Sequence, residues 1–466
     1  MGASLPGRPP FVLRARILTP LADGSTRYEP DGRLAVDARG VIASVAPWPG
    51  APAGAADPAA PSDRAAPSDR AAPSDPPDPP VVDLRPLVVM PGMVDLHVHL
   101  PQLPNAGVGA GLDLLTWLRR YIFPLEREFD EAAAEALAPR AFRAFAAAGT
   151  TTVLAYGAVF EASMDASFRA AEAHGIRAIL GKVMMDRGSY DDRLPMDRVL
   201  DTSLRQSADL CARWHGRDDG RLRYAFTPRF AVSCSADMLR ESAALARSAG
   251  AYWQTHLAED RGEVREVARL FPEALDYLDV YDRAGGLGPR TILAHAIHLS
   301  SREVARLAET DTAIAHCPAS NLFLASGAMR LARLRGAGIR VGLGSDVSAG
   351  PELSIFANMR AGAYTQSGLR VLGEDDTRPL GPLDWLRLGS LEGARVLGIA
   401  GEIGSLEVGK AADLIAVDPR LVAPVEGVDS DDPAEVMSRL AFRPHPDMVR
   451  AAWVRGRRLD GPPGLA

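Results

Sequence analysis

The sequence predicts an α/β fold, a (β/α)8 TIM-like barrel joined to a small β-sandwich domain formed by both chain ends. Three observations lead there. Between residues 88 and 346, eight apolar strand-like segments alternate with Ala- and Leu-rich helical segments, the order that produces a parallel sheet closed on itself. The chain has 466 residues, enough for a barrel of about 250 residues or more with a small accessory unit. Short strand patterns punctuated by Gly and Asp occur at both ends.

In chain order, residues 10 to 48 hold the runs FVLRARILT and RLAVDARGVIASV, the pattern of a small antiparallel sheet. Residues 49 to 80 are almost entirely Ala, Pro, Ser, Asp and Gly, with AAPSDR at 59 to 64 and 65 to 70 and AAPSDP at 71 to 76. Such a repeat has almost nothing to bury and is expected to be a mobile surface insertion. Candidate barrel strands follow at 88–100, 150–157, 176–186, 222–230, 252–259, 291–299, 312–318 and 340–346. Helical stretches separate them, such as ADMLRESAALARSAG at 236 to 250, which ends in the Gly expected just past a helix. After residue 405, SLEVGKAADLIAVD and MVRAAWVRGRRL return to short strands. The expected domains are therefore 1–87 and 405–466 as the two parts of the small β-domain, with 88–404 as the catalytic barrel.

Hydrophobic residues make up 47% and charged residues 24%, the balance of a soluble globular protein. A net charge of -7 with no Lys/Arg run disfavours nucleic acid as a partner and suits a small neutral substrate. Cys211, Cys234 and Cys317 are scattered and include no CxxC pair, so a reducing cytoplasm is the expected compartment. The N-terminus has arginines but no apolar signal region, and the most apolar stretch, 141 to 160, is broken by Arg143, Gly149 and threonines. Neither export nor a membrane span is expected.

The chemistry begins with His97-Val98-His99. Residues i and i+2 of a strand point the same way and can offer two imidazoles to one metal. His256, His295 and Asp346 lie on or at the ends of three other candidate strands, and in a parallel barrel those C-terminal ends meet at one mouth. His97, His99, His256 and Asp346 thus offer three nitrogens and an oxygen to a divalent ion, with room for water. Zinc is the default, and iron accepts similar ligands. Hydrolysis by a metal-activated water also needs a proton for the leaving group, and Glu259 stands three residues after His256; its alternative role is to open the next helix with Asp260 and Glu263. His295 is the candidate for orienting the water and stabilising the developing alkoxide, the alternative being a buried structural histidine. Lys182, on the third strand, is expected to be structural and not a bridge between two metals.

PGMVDLHVH at 91 to 99, QTHLAED, ILAHAIHLS, HCPASN at 316 to 321, GLGSD at 342 to 346 and GSLEVGKAADL resemble the amidohydrolase superfamily over most of the chain. His99-Leu100-Pro101-Gln102, LDLLTWLRRYIFPLE at 112 to 126 and TPRFAVSCS at 227 to 235 are similar to segments of its guanine deaminases. That resemblance implies one zinc on His97, His99, His256 and Asp346, attack of zinc-bound hydroxide on C2 of guanine, and Glu259, His295 and Asp346 as catalytic groups. It further implies that Gln102 and Arg229 hydrogen-bond the purine, that Phe230 lines its pocket beside His99, His256, Glu259 and Asp346, and that the protein is a homodimer. Guanine presents acceptors at O6, N3 and N7 that a guanidinium and a carboxamide can meet. For Arg229 the alternative is a salt bridge on the barrel rim. The 49 to 80 insertion and Pro351-Glu352 depart from the family pattern. Two other readings share the sequence: an amidohydrolase-type deaminase of another purine, pterin or triazine ring, and a non-catalytic assembly protein on the same barrel.

Overall fold

A computed structural model describes residues 5–50, 79–190 and 194–465. The six-residue repeat, and with it the expectation of a mobile insertion, lies outside the described residues. Four strands come first: β1 (Phe11–Pro20), β2 (Thr26–Val36), β3 (Ile42–Pro47) and β4 (Val81–Pro91). The barrel strands follow: β5 (Met93–His99), β6 (Thr150–Tyr156), β7 (Arg177–Gly181), the two-residue β8 (Val183–Met184), β9 (Leu222–Pro228), β10 (Tyr252–Leu257), β11 (Thr291–His295), β12 (Ala313–His316) and β13 (Val341–Leu343). The chain closes with β14 (Leu414–Val417), β15 (Val449–Val454) and β16 (Arg457–Arg458).

Both chain ends build one seven-stranded sheet in the order β16-β15-β14-β4-β1-β2-β3. Its side chains alternate as a two-faced sheet requires. Leu414, Ala416, Ala451 and Trp453 share one core with Phe11 and Leu13 of β1, while Ile415, Val417, Val449 and Ala452 face the core around the barrel. The rings of Phe11 and Trp453 lie 6.3 Å apart although β4 and β14 separate their strands. On a flat sheet that separation would be about 14 Å, so the sheet curls round its own core, and this one sheet supplies the layers expected of a sandwich.

The parallel strands run in the order β5-β6-β7-β9-β10-β11-β12-β13. Their inward faces, among them Leu96, Leu154, Ile179 and Ile292, fill the barrel with Ile399 and Ile403 from the C-terminal side of the chain. Phe142, Phe145, Phe168 and Trp214 cover the outside. Between β5 and β13 the barrel is closed at the top: the Asp346 amide donates to the His97 carbonyl at 2.7 Å and the His99 amide to the Val347 carbonyl at 3.1 Å. Below that, the Ser345 amide and hydroxyl both donate to Asp95.

The candidate strand at 88–100 is two strands in different sheets, β4 and β5, meeting at Gly92. A Cβ on Gly92 would stand 2.0 Å from Thr151 Oγ1, so only glycine lets the chain cross there. Lys182 interrupts the third candidate strand and its Nζ donates to Ser203 Oγ at 2.9 Å, on the helix outside the barrel. Among the described residues no helix is long and apolar enough to cross a membrane, and the three cysteines are free and buried.

Candidate active site

The C-terminal strand ends gather His97 and His99 (β5), His256 (β10), His295 (β11) and, beyond β13, Asp346, all buried except His256, which is partly exposed. His97 Nε2 lies 3.2 Å and His99 Nε2 3.5 Å from Asp346 Oδ1, and the Nε2 atoms of His99 and His256 are 3.2 Å apart. His97 and His256 also converge with His295, each offering one ligand atom within 4.8 Å of the others. The Nε2 atoms of His97 and His295 are buried without a hydrogen-bond partner in the protein. Buried nitrogens are seldom left so, and lone pairs aimed beside a carboxylate fit a divalent cation.

Neighbouring groups orient these rings. His256 Nδ1–H donates to the Arg229 carbonyl at 2.6 Å, which leaves Nε2 as the free lone pair. His295 Nδ1 pairs with Asn321 Oδ1 at 2.9 Å, and Asp346 Oδ2 accepts from Ser320 Oγ at 2.6 Å. Tyr156 lays its ring 4.5 to 4.9 Å from His97, His99 and His256. Burial, reinforced by neighbouring imidazoles, holds His99 and His256 well below the ordinary histidine range, so they are neutral, the form a metal needs. The backbone is left-handed at Ala258 (φ 47°), His295 (72°), Ala296 (51°) and Asp346 (49°). Non-glycine residues adopt that region at a cost of about 1–3 kcal/mol each and keep it where surrounding structure dictates it. Here the Asp346 amide is pinned to His97 and the Ala296 amide to Leu257.

Glu259 does not cap the following helix. Asp260 is the N-cap of the helix Arg261–Leu270 and Glu263 completes the capping box, its Oε2 accepting from the Asp260 amide at 3.2 Å and also from the Glu259 amide at 2.8 Å. Glu259 is left outside that helix, only 2% exposed, with Oε2 3.4 Å from His295 Nε2 and Oε1 accepting from Ser326 Oγ at 3.4 Å. Burial, then the nearby Asp346 carboxylate, raises its pKa well above the usual carboxylate range.

A pocket opens on this cluster, lined by His99, Gln102, Arg229, Phe230, His256, Glu259 and Asp346 together with Leu114, Trp117 and Leu118. Every residue singled out from the sequence as metal- or substrate-binding therefore reaches one place except His97, which lies beneath as part of the cluster. Arg229 does make a salt bridge, but a buried one: Nη1 donates to Glu126 Oε1 at 2.8 Å and Oε2 at 2.7 Å. Gln102 Nε2 donates to the same Glu126 Oε1 at 2.7 Å, which leaves the carboxamide oxygen buried without a partner in the protein. Glu126, Ser320, Asn321 and Ser326 were not singled out by sequence reasoning. Glu126, Ser320 and Asn321 fall inside motifs quoted for resemblance, but a lone carboxylate, hydroxyl or amide on a short helix carries no signal of what it will face. His298 Nε2 pairs with the Ser326 carbonyl, and His316 is buried away from the ligand cluster.

Residues 88–459 match the model of the amidohydrolase family, and the chain belongs to that family. Within it the chain is similar to the guanine deaminase of Escherichia coli K12, 36% identical over 362 residues that span 77% of this chain and 79% of that protein. Among solved structures it superposes on the guanine deaminase of C. acetobutylicum with guanine bound in its active site, with TM-score 0.82, 26% identity and coverage of 96% and 99% of the two chains. An adenosine deaminase from Xanthomonas campestris with bound zinc aligns with TM-score 0.76 at 26% identity, covering 99% and 96%.

Proposed function

We propose that the protein is a zinc-dependent aminohydrolase that converts guanine to xanthine and ammonia. The observation that carries this reading is the pocket itself. It joins a neutral imidazole–carboxylate cluster and a buried Glu259, whose carboxylate binds a proton more readily than usual, to a wall formed by Gln102 and Arg229, in a chain similar to guanine deaminases. His97, His99, His256 and Asp346 would hold the cation, which fits the orphaned Nε2 of His97 and the mixed N/O chemistry of the group. When bound, a zinc ion supplies Lewis acidity that makes water nucleophilic at neutral pH.

The protein's own groups do the remainder. Gln102 and Arg229 hold the base with C2 over the cluster, Phe230 lines its face, and Leu114, Trp117 and Leu118 shield it from bulk water. Glu259, as a carboxylate, takes a proton from the attacking water as its oxygen bonds to C2 and delivers it to the ring nitrogen beside C2; it then takes the proton of the new C2 hydroxyl and passes it to the exocyclic amine, which leaves as ammonia when the C2–N bond breaks. His295, held by Asn321, orients the water and stabilises the oxygen that develops negative charge. The cytoplasm and a homodimer belong to the same reading through the family resemblance. Incubation with guanine tests it: xanthine and ammonia in equal amounts, with about one zinc per chain in purified protein, are the expected results. Absence of both products with metal present would remove guanine as the substrate.

A further inference from the structure

Resting on that reading, we propose that Glu126 is the specificity-determining residue of the pocket, because it sets the hydrogen-bond polarity of the two side chains facing the base. Glu126 sits at the end of the segment 112 to 126 and is fully buried. Both of its oxygens accept from Arg229 Nη1, and a carboxylate so paired meets its other neighbours as an acceptor. The Gln102 side chain, 1% exposed and 2.7 Å away, must therefore present its amino end to Glu126. This settles the orientation of an amide whose two ends are otherwise interchangeable.

The opposite end, Gln102 Oε1, is then a buried acceptor with no partner in the protein, on a side chain that lines the pocket. Such an orphan calls for a donor on the ligand. Arg229 spends Nη1 on both oxygens of Glu126, and its guanidinium lies 5.2 Å from the ring of Phe123, which restricts its turning. Arginine has no acceptor, so its remaining N–H groups can offer only donors. The wall is thus one acceptor beside donors, joined through a single carboxylate.

A complementary ligand edge carries an acceptor next to a donor. Guanine supplies O6 and the adjacent N1–H. An adenine-like edge, with an exocyclic amine beside an unprotonated ring nitrogen, inverts both positions and leaves the buried wall groups unpaired. 2,6-Diaminopurine isolates the effect: it keeps the C2 amine that would be hydrolysed and carries the inverted edge.

The experiment measures kcat and KM on guanine and on 2,6-diaminopurine for the zinc-loaded protein and for Glu126→Gln, which can donate as well as accept and so frees the Gln102 amide to turn. The unaltered protein should favour guanine by about 100-fold or more in kcat/KM. In Glu126→Gln that ratio should shrink by about tenfold or more, chiefly through KM, while Glu126→Asp, which keeps an acceptor-only group, should retain most of the preference. Should Glu126→Gln not fold, Gln102→Met, which removes the acceptor and leaves the Glu126–Arg229 pair intact, should lower the ratio through the same KM effect. An unchanged ratio in a folded Glu126→Gln or Gln102→Met protein, or guanine turnover without preference in the unaltered protein, would overturn the proposal. Failure of the unaltered protein to deaminate guanine at all would instead overturn the function on which it rests.

Discussion

Glu259 shows how one carboxyl can be set apart from its neighbours by position alone. Asp260 and Glu263 spend oxygens on backbone amides at the start of the next helix, whereas Glu259 is buried facing His295. Replacing it with Gln keeps shape and burial and removes the titrating oxygen, so Glu259→Gln should retain its metal while kcat falls by about 10²–10⁴. Retained turnover would take Glu259 out of the mechanism. The ligand imidazoles make a second prediction. Their pKa values lie below the ordinary 6.5 because burial disfavours the charged ring. A proton competes with the metal for each lone pair, and a lowered pKa weakens the proton. Bound metal should therefore persist as pH falls to 6.5 and leave only below it. Metal content after equilibration across that range checks the sign, and half-loss at or above 6.5 would refute it.

At the scale of elements, the loop and short helix after β12 do more than connect. Ser320, Asn321 and Ser326 reach Asp346, His295 and Glu259 from one stretch of chain. Asn321→Ala would free the His295 ring without touching a ligand of the cation, and a loss of about 10–100-fold in kcat with metal content unchanged is expected. Normal kcat would mean that His295 is held without Asn321. This is also where legibility in the sequence ends. The strand-borne groups could be foreseen, because a parallel barrel sends every strand end to one mouth: His97, His99, His256 and Asp346 follow from that rule. Glu126, Ser320 and Asn321 come from loop-and-helix segments whose direction is set by tertiary packing, so no periodicity announces them. Likewise, apolar runs at 88–100 revealed strand character but not the change of sheet at Gly92, which depends on the close approach of Thr151.

Across the whole molecule, the curled sheet is fastened to the barrel by the core along its second face and by a buried ion pair. Arg177 of β7 donates to Asp413, just before β14, at 2.9 Å, with both side chains at most 2% exposed. The interlacing of both termini around the barrel follows from strand order, since β4 and β14 are neighbours in the sheet although the barrel separates them in the chain. One feature of the barrel reaches further. Its first and last strands meet at the top through two backbone bonds, at His97 and His99, and the rings of those same residues lie against Asp346 from the other side, where they would share a bound cation. The ion would thus act as a clasp on the one joint where neighbouring strands are least stitched. Stripping it with a chelator should lower the melting temperature and accelerate deuterium uptake first at the amides of His99 and Asp346, whereas uptake spread evenly round the ring would show that the joint holds by itself.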